Sequence, residues 1–373
     1  METETPCDPS IGLSPLLKTF PIRVGLIGYG YAGKTFHAPL IQSMEGLLLG
    51  GVASSRPEKV QGDWPEVRVY PDPETLIMDP DIGLVVIASP NATHAPLGRR
   101  ALDQGKAVVI DKPFTLTMAE ARDLVTQAEA TGRLLSVFHN RRWDSDFLTV
   151  RRAIGDGLIG RVTHFESRFD RFRPEVRARW REQAGGGSGV WYDLGPHLVD
   201  QALLMFGLPE RVMANLAALR SGAETDDWAH VILIYGDCRV TLQASMLVAG
   251  GTCRFLVHGA TGSLEKRHAD RQEAQLLGGL TPGNSGWGED PDPLILYSAD
   301  GSTRQIAAQA GDQRAFYIGV RDAMRGLSGN PVPPIQALAV MAVVEAAVRS
   351  SAEGASVDIG LSEAERTRWA ADR

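Results

Sequence analysis

Cysteine is scarce in this chain of 373 residues: Cys7, Cys238 and Cys253 are the three. They form no CxxC pair and no zinc-like spacing, which excludes a disulfide framework and points to reduced thiols in a cytoplasmic protein. A basic excess is also missing. Lysine and arginine total 38 against 45 acidic residues, a net charge of −7. That argues against a general nucleic-acid binder. It leaves room for an anionic cofactor, because backbone amides and a few local cations hold phosphate. No apolar run approaches the roughly 20 residues that a membrane helix needs. The first twenty residues, METETPCDPSIGLSPLLKTF, lack the apolar core of a signal peptide and read as a loose tail. No internal repeat or low-complexity tract is visible.

What is present is a regular alternation. Residues 22–28, 47–53, 84–88, 107–110 and 134–138 are short apolar strands. Helical stretches separate them, to about Met44, over 93–104 with the stop signal Gly105, and over 117–131 ending at Gly132. This order predicts βαβ units on a parallel sheet. The pattern changes after a further helix over 144–155. Segments 161–172, 211–219, 228–235, 238–248 and 252–258 alternate in polarity, with a hairpin turn expected at Gly236-Asp237 and one helix over 190–206. Residues 267–310 are rich in Gly, Pro and Asp and read as a long excursion, and a final helix is expected over 335–352. The expected fold is α/β: an N-terminal Rossmann dinucleotide-binding domain (21–141) behind a tail (1–20), then a C-terminal α+β domain (142–373) on a largely antiparallel sheet.

The first strand runs into Gly28-Tyr29-Gly30-Tyr31-Ala32-Gly33, a GxGxxG loop with a strand before it and a helix after it. Gly28 permits the tight turn, Gly30 lets the backbone approach a pyrophosphate, and Gly33 lets the helix pack on the strand. Backbone amides from Tyr29 to Gly33 then face the phosphates at the positive helix end. Pro39 should kink or shorten that helix. At the end of the second strand an acidic residue would hold a ribose hydroxyl. The sequence has Ser54-Ser55-Arg56 instead, two hydroxyls and a guanidinium suited to the 2′-phosphate of NADP.

Three further segments can carry chemistry. Asp111-Lys112-Pro113 follows the fourth strand, at the end of the sheet where ligands bind in such folds. A lysine there stabilises developing negative charge on oxygen, or is a surface cation. A cis Pro113 would aim it. Asp193 and His197 are four apart, sharing one helical face, and Pro196 fits best in a first turn. The histidine can shuttle a proton, or the segment is a capped core helix. His197-x-x-Asp200 has metal-ligand spacing, but no further cluster supports a metal. His139-Asn140-Arg141-Arg142-Trp143 places polar and aromatic groups at a strand end.

From about residue 21 onward the chain resembles the Gfo/Idh/MocA oxidoreductases. Within them the segments GYGYAGKTFHAPLI (28–41), HNRRWDSDFL (139–148), RPEVRARWRE (173–182) and YDLGPHLVDQ (192–201) look like NADP-dependent scyllo-inositol dehydrogenases. Ser285-Gly286-Trp287-Gly288 fits the same branch. The resemblance implies an open mixed sheet in the second domain. It implies catalytic roles for Lys112, from a Glu-Lys-Pro motif whose acid is here Asp111, and for Asp193 and His197. It implies exchange between a secondary alcohol and a ketone on a cyclic polyol or sugar. Ser89, Asn91 and His94 would approach the cofactor ribose. Arg142, Arg173 and Tyr192 would contact ring hydroxyls, with Trp180 a weaker candidate. A homodimer or homotetramer is expected. Two rival readings are an NAD(P)-dependent glycosidase and a non-catalytic sensor of NADP or sugar. The retained Lys112, Asp193 and His197 weigh against the sensor.

Overall fold

The computed structural model describes residues 20–372. The tail expected over residues 1–20 lies, apart from Phe20, outside the described residues. Six strands form the first sheet: β1 (Ile22–Ile27), β2 (Leu47–Ala53), β3 (Arg68–Tyr70), β4 (Leu84–Ile87), β5 (Ala107–Ile110) and β6 (Leu135–Val137). Their order is β3-β2-β1-β4-β5-β6, and every pair is parallel. The apolar runs of β4 and β5 are buried throughout, as a sheet covered on both faces requires. The order reverses between β1 and β4, so the two strands end side by side where this fold opens a ligand crevice.

The helices of this half are α1 (Ala38–Gln42), α2 (Pro57–Asp63), α3 (Pro73–Met78), α4 (His94–Asp103) and α5 (Met118–Thr131). The helix expected after β1 is continuous but irregular: Gly33–His37 form a π turn that passes directly into α1, with Pro39 as the second residue of α1. Having no N–H, Pro39 cannot bond back to the preceding turn, and the wider π turn falls there. α5 is fixed at both ends, by a Thr117–Glu120 capping box and by Gly132 in the left-handed conformation.

After α6 (Ser145–Gly155) the second sheet is built from β7 (Val162–Asp170), β8 (Arg211–Ala217), β9 (Trp228–Ile234), β10 (Arg239–Ser245), β11 (Phe255–Gly259), β12 (Gly262–Lys266), β13 (Leu294–Ser298) and β14 (Thr303–Ile306). Its order is β14-β13-β12-β11-β7-β10-β9-β8. Only β7 and β10 run parallel; the other neighbours are antiparallel. The β9–β10 hairpin closes where expected, with Tyr235 N donating to Cys238 O at 3.2 Å. Ala229, Val231 and Leu233 alternate inward along β9, and α7 (Gly189–Phe206) packs against β9 and β10.

Three expectations change. The 267–310 stretch is not a structureless excursion: it holds α8 (Gln272–Leu277) and the last two strands of the sheet. Lys266, fully buried and 3.1 Å from Asp290, ties it down. The helix over 335–352 is not the last. α9 (Arg314–Met324) precedes it, and α11 (Glu363–Ala371), with its Ser362–Glu365 capping box, follows. That helix, α10 (Pro334–Glu353), is also long and apolar enough to cross a membrane, contrary to the reading of the sequence. Yet 72% of its most apolar window is buried inside the protein. It packs on α5 and β6 of the first half and on α7 and β8 of the second, and so joins the two domains as a core helix.

Candidate active site

Each of the three loop glycines has a distinct geometry. Gly28 has φ +96°, and a Cβ there would lie 2.7 Å from Ala88 O at the end of β4. A Cβ on Gly33 would lie 2.2 Å from Gly28 O, so the π turn sits directly on the strand end. A Cβ on Gly30 would meet no atom of the described residues, its chain neighbours aside, within 4 Å, so this exposed backbone is open to approach. Such a loop fits a dinucleotide pyrophosphate. Tyr29 is buried, and its hydroxyl donates to Asp63 at 2.9 Å. At the end of β2, Ser54 Oγ accepts from Arg56 N at 3.1 Å, while Ser55 and Arg56 are exposed.

Lys112 follows β5 and is joined to Pro113 by a cis peptide bond. Its ammonium reaches the second domain. Nζ donates to the carbonyl oxygen of Asp193 at 2.6 Å and to its carboxylate at 3.0 Å. Arg181 Nε lies 3.6 Å from the same carboxylate. Burial alone would raise the Asp193 pKa, but Lys112 and Arg181 hold it far below the usual carboxylate range. His197 stands one turn further along α7 and is 6% exposed. Burial, then Lys112 and Arg141, press its pKa well below the usual histidine value, so the ring is neutral at pH 7. Its Nδ1 is buried and has no hydrogen-bond partner among the described residues.

Pro196 does not stand in a first turn. It is inside α7, which starts at Gly189. Its missing N–H frees the carbonyl of Tyr192 in mid-helix. Gly195 beside it has no room for a Cβ, which would fall 2.7 Å from the Trp191 ring. The helix start is capped from β9's side of the fold: Asp226 Oδ2 accepts from Trp191 N at 2.7 Å.

A buried polar layer lies behind Lys112. Lys112 N donates to Asp111 Oδ1 at 2.9 Å, His37 Nε2 lies 3.8 Å from that oxygen, and His37 Nδ1 is 2.6 Å from the Tyr317 hydroxyl. His139, 1% exposed, has no hydrogen-bond partner at either ring nitrogen among the described residues. Burial brings its pKa down to about 4. Sequence reasoning marked the segment of His139 but not this ring, and it missed His37, Tyr317 and Arg181. Tyr317 lies 280 residues from His37, so no local pattern could pair them.

The other residues expected to touch cofactor or substrate have these surroundings in the protein. Arg142 is buried and forks onto Asp200, with Nη2–Oδ1 at 2.6 Å and Nε–Oδ2 at 2.9 Å, while Nη1 donates to Pro331 O and Gln336. It fastens its turn to α7. Asn91 is buried and donates to Gly187 O at 3.0 Å, bridging the domains. His94 is buried between Pro113 O at 2.8 Å and Ser89 O at 3.0 Å, a tie between the β4 and β5 loops. Ser89 Oγ pairs with Thr93 at 2.5 Å. Tyr192 is half-buried, its hydroxyl pushed up to about 12 by burial and by Glu345 and Asp226. Trp180 is exposed, with Arg181 stacked 4.4 Å from its ring centroid. Arg173 is half-buried and makes no side-chain hydrogen bond among the described residues.

Comparison with known proteins agrees with this architecture. Residues 22–139 match the NAD-binding Rossmann fold of an oxidoreductase family, and residues 151–359 match that family's C-terminal alpha/beta domain. The uncharacterized oxidoreductase YdgJ of Escherichia coli is 49% identical, over 90% of this chain and 98% of its own length. The scyllo-inositol 2-dehydrogenase (NADP(+)) IolW of Bacillus subtilis is 36% identical, over 90% and 95%. A crystal structure of an oxidoreductase candidate from Klebsiella pneumoniae superposes with a TM-score of 0.89 at 56% identity, covering 94% of this chain and 98% of that one. Both domains of one family are thus matched in order along the chain, over its parallel dinucleotide half and its mixed-sheet second half: the chain belongs to the Gfo/Idh/MocA oxidoreductase family.

Proposed function

We propose that the protein interconverts a secondary alcohol and a ketone on a cyclic polyol or sugar with NADP, scyllo-inositol and its ketone being the first pair to test. One observation carries this reading. The Lys112 ammonium from the dinucleotide half is bonded to the turn of α7 that presents a neutral His197. The name of IolW supports the substrate, as does that of an inositol 2-dehydrogenase from Rhizobium meliloti, 30% identical over 91% of this chain.

The backbone of Gly28, Gly30, Ala32 and Gly33 would hold the pyrophosphate, and Ser54, Ser55 and Arg56 the 2′-phosphate. The absence of a carboxylate after β2 favours NADP over NAD. When bound, the nicotinamide supplies the hydride acceptor or donor. His197, neutral, takes the proton of the substrate hydroxyl as general base, and returns it in the reductive direction. Lys112 stabilises the negative charge that develops on that oxygen, in a site where burial strengthens the interaction. Asp193 fixes the lysine. Arg142–Asp200 and Asp111 hold the supporting layer, which matters because small misplacements are costly in hydride transfer. The open second sheet is the proposed contact between copies in a homodimer or homotetramer.

The test is absorbance at 340 nm with inositols, inososes and aldoses, offered with NADP and NAD separately. Turnover of a polyol–ketone pair with NADP(H) supports the reading. Coenzyme binding without net turnover of any of them contradicts it.

A further inference from the structure

Between β7 and α7 the chain carries Arg171, Arg173, Arg177, Arg179 and Arg181 within eleven residues of a protein whose net charge is −7. The backbone of this segment is rigidly framed. Arg171 N and Arg173 N donate to Ser245 O and Met246 O at 2.8 and 2.7 Å. Arg220, 8% exposed, donates from Nη1 to Arg173 O and Glu175 O, both at 3.1 Å, and pairs with Glu182 and Asp227. Glu182 in turn accepts from Arg177 N at 2.9 Å.

The guanidinia on this frame are largely uncommitted. Arg179 is paired with Glu182, and Arg181 lies on Trp180 near Asp193. Arg171, Arg173 and Arg177 have no side-chain hydrogen bond or ion pair among the described residues. Two of them bear on the catalytic region: Arg171 and Arg173 both feel the Asp193 carboxylate, and Arg171 also feels Glu273 of α8 and Tyr31 of the phosphate loop. Asp193 is already bonded to Lys112. Arg171, Arg177 and Arg179 repel the Arg173 guanidinium and, with burial, bring its pKa down. Three guanidinia without a side-chain partner on one fixed segment, which ends at Arg181 3.6 Å from Asp193, suit an anionic ligand, because the planar guanidinium fork matches oxyanions.

Resting on the polyol reading, we infer that residues 171–177 form an anion-recognition element, and that the physiological substrate is a polyol or sugar bearing a phosphate or carboxylate. The anion sits on Arg171, Arg173 and Arg177 while the reacting carbon sits at Lys112 and His197. A cluster of cationic side chains also draws such substrates in by long-range attraction, an effect that salt weakens.

The experiment compares matched neutral and anionic compounds with NADP: scyllo-inositol against an inositol monophosphate, and glucose against glucuronate and glucose 6-phosphate. The expected result is kcat/KM more than about tenfold higher for an anionic member, with KM rising as salt is added. In Arg171→Gln/Arg177→Gln the ratio of anionic to neutral kcat/KM should fall toward one. A preference for glucuronate identifies a carboxylate, and one for the phosphates a phosphate. Equal kcat/KM for neutral and anionic members in both proteins overturns the inference and leaves the polyol reading standing. If no compound turns over, the polyol reading fails, and calorimetry of the NADPH-loaded enzyme with glucose 6-phosphate and glucuronate decides the inference. Arginine-dependent binding of either supports it, and binding of neither overturns it.

Discussion

Lys112 Nζ bonds Asp193 twice, through the backbone carbonyl at 2.6 Å and through the carboxylate at 3.0 Å. The double contact fixes the ammonium against the helix turn that leads to His197, and it crosses from one domain to the other. Asp193→Asn keeps the backbone contact and removes the charge. Turnover should fall by about tenfold or more, because a group that acts only through placement loses it gradually. NADPH affinity should change little. Unchanged kcat would show that the carboxylate has no part in placing the lysine.

The glycines separate folding from binding. Gly33→Ala puts a Cβ 2.2 Å from Gly28 O, a backbone atom that cannot yield without moving the strand end. It should cost about 1–3 kcal/mol in denaturant unfolding. Gly30→Ala meets nothing within 4 Å of protein and should leave unfolding almost unchanged. Its NADPH affinity should still drop, because the methyl faces the side from which phosphates approach. Equal losses of stability in both variants would contradict this assignment.

How much of this was legible without coordinates depends on sequence distance. The glycine loop and its strand are contiguous, so their roles could be read directly. The Asp193–His197 pair was legible from its spacing of four. Pro196 was misplaced because propensity favours a first turn, whereas the packing of Trp191 against Gly195 holds α7 helical on both sides of it. The bonds of Arg142, Asn91 and His94 to Asp200, Gly187 and Pro113 were not legible, because those partners lie 58, 96 and 19 residues away. The strands β13 and β14 were missed because they are short and set among Gly, Pro and Asp. Pairing makes them strands, β13 on β12 and β14 on β13.

Arg56 is exposed at the end of β2 and should govern coenzyme choice. Arg56→Ala should raise KM for NADP by about tenfold, the loss of one charge-assisted phosphate contact, and leave KM for NAD nearly unaltered. The ratio of kcat/KM for the two coenzymes is the readout. A ratio equal to that of the parent would remove Arg56 from the phosphate site.

His139 makes stability depend on pH. Its pKa is about 4 in the fold and near 6.5 in an unfolded chain. The folded state therefore prefers the neutral ring. The stability linked to it is complete above pH 6.5 and is lost as pH falls from 6.5 toward 4. His139→Gln removes this dependence. The unfolding free energy of the parent relative to the variant should decrease by up to about 3 kcal/mol between pH 7 and pH 4. Parallel curves across that range would mean that the ring takes up its proton without penalty in the fold.

The convergence of Lys112 and His197 on one reacting carbon is tested most directly by turnover at 340 nm in Lys112→Ala and His197→Ala, with NADPH affinity measured on the same samples. The expected result is a loss of kcat of at least about a hundredfold in each, the scale of a missing general base or of a lost oxyanion partner, with NADPH still bound. Near-normal kcat in either variant would contradict the catalytic role of that residue.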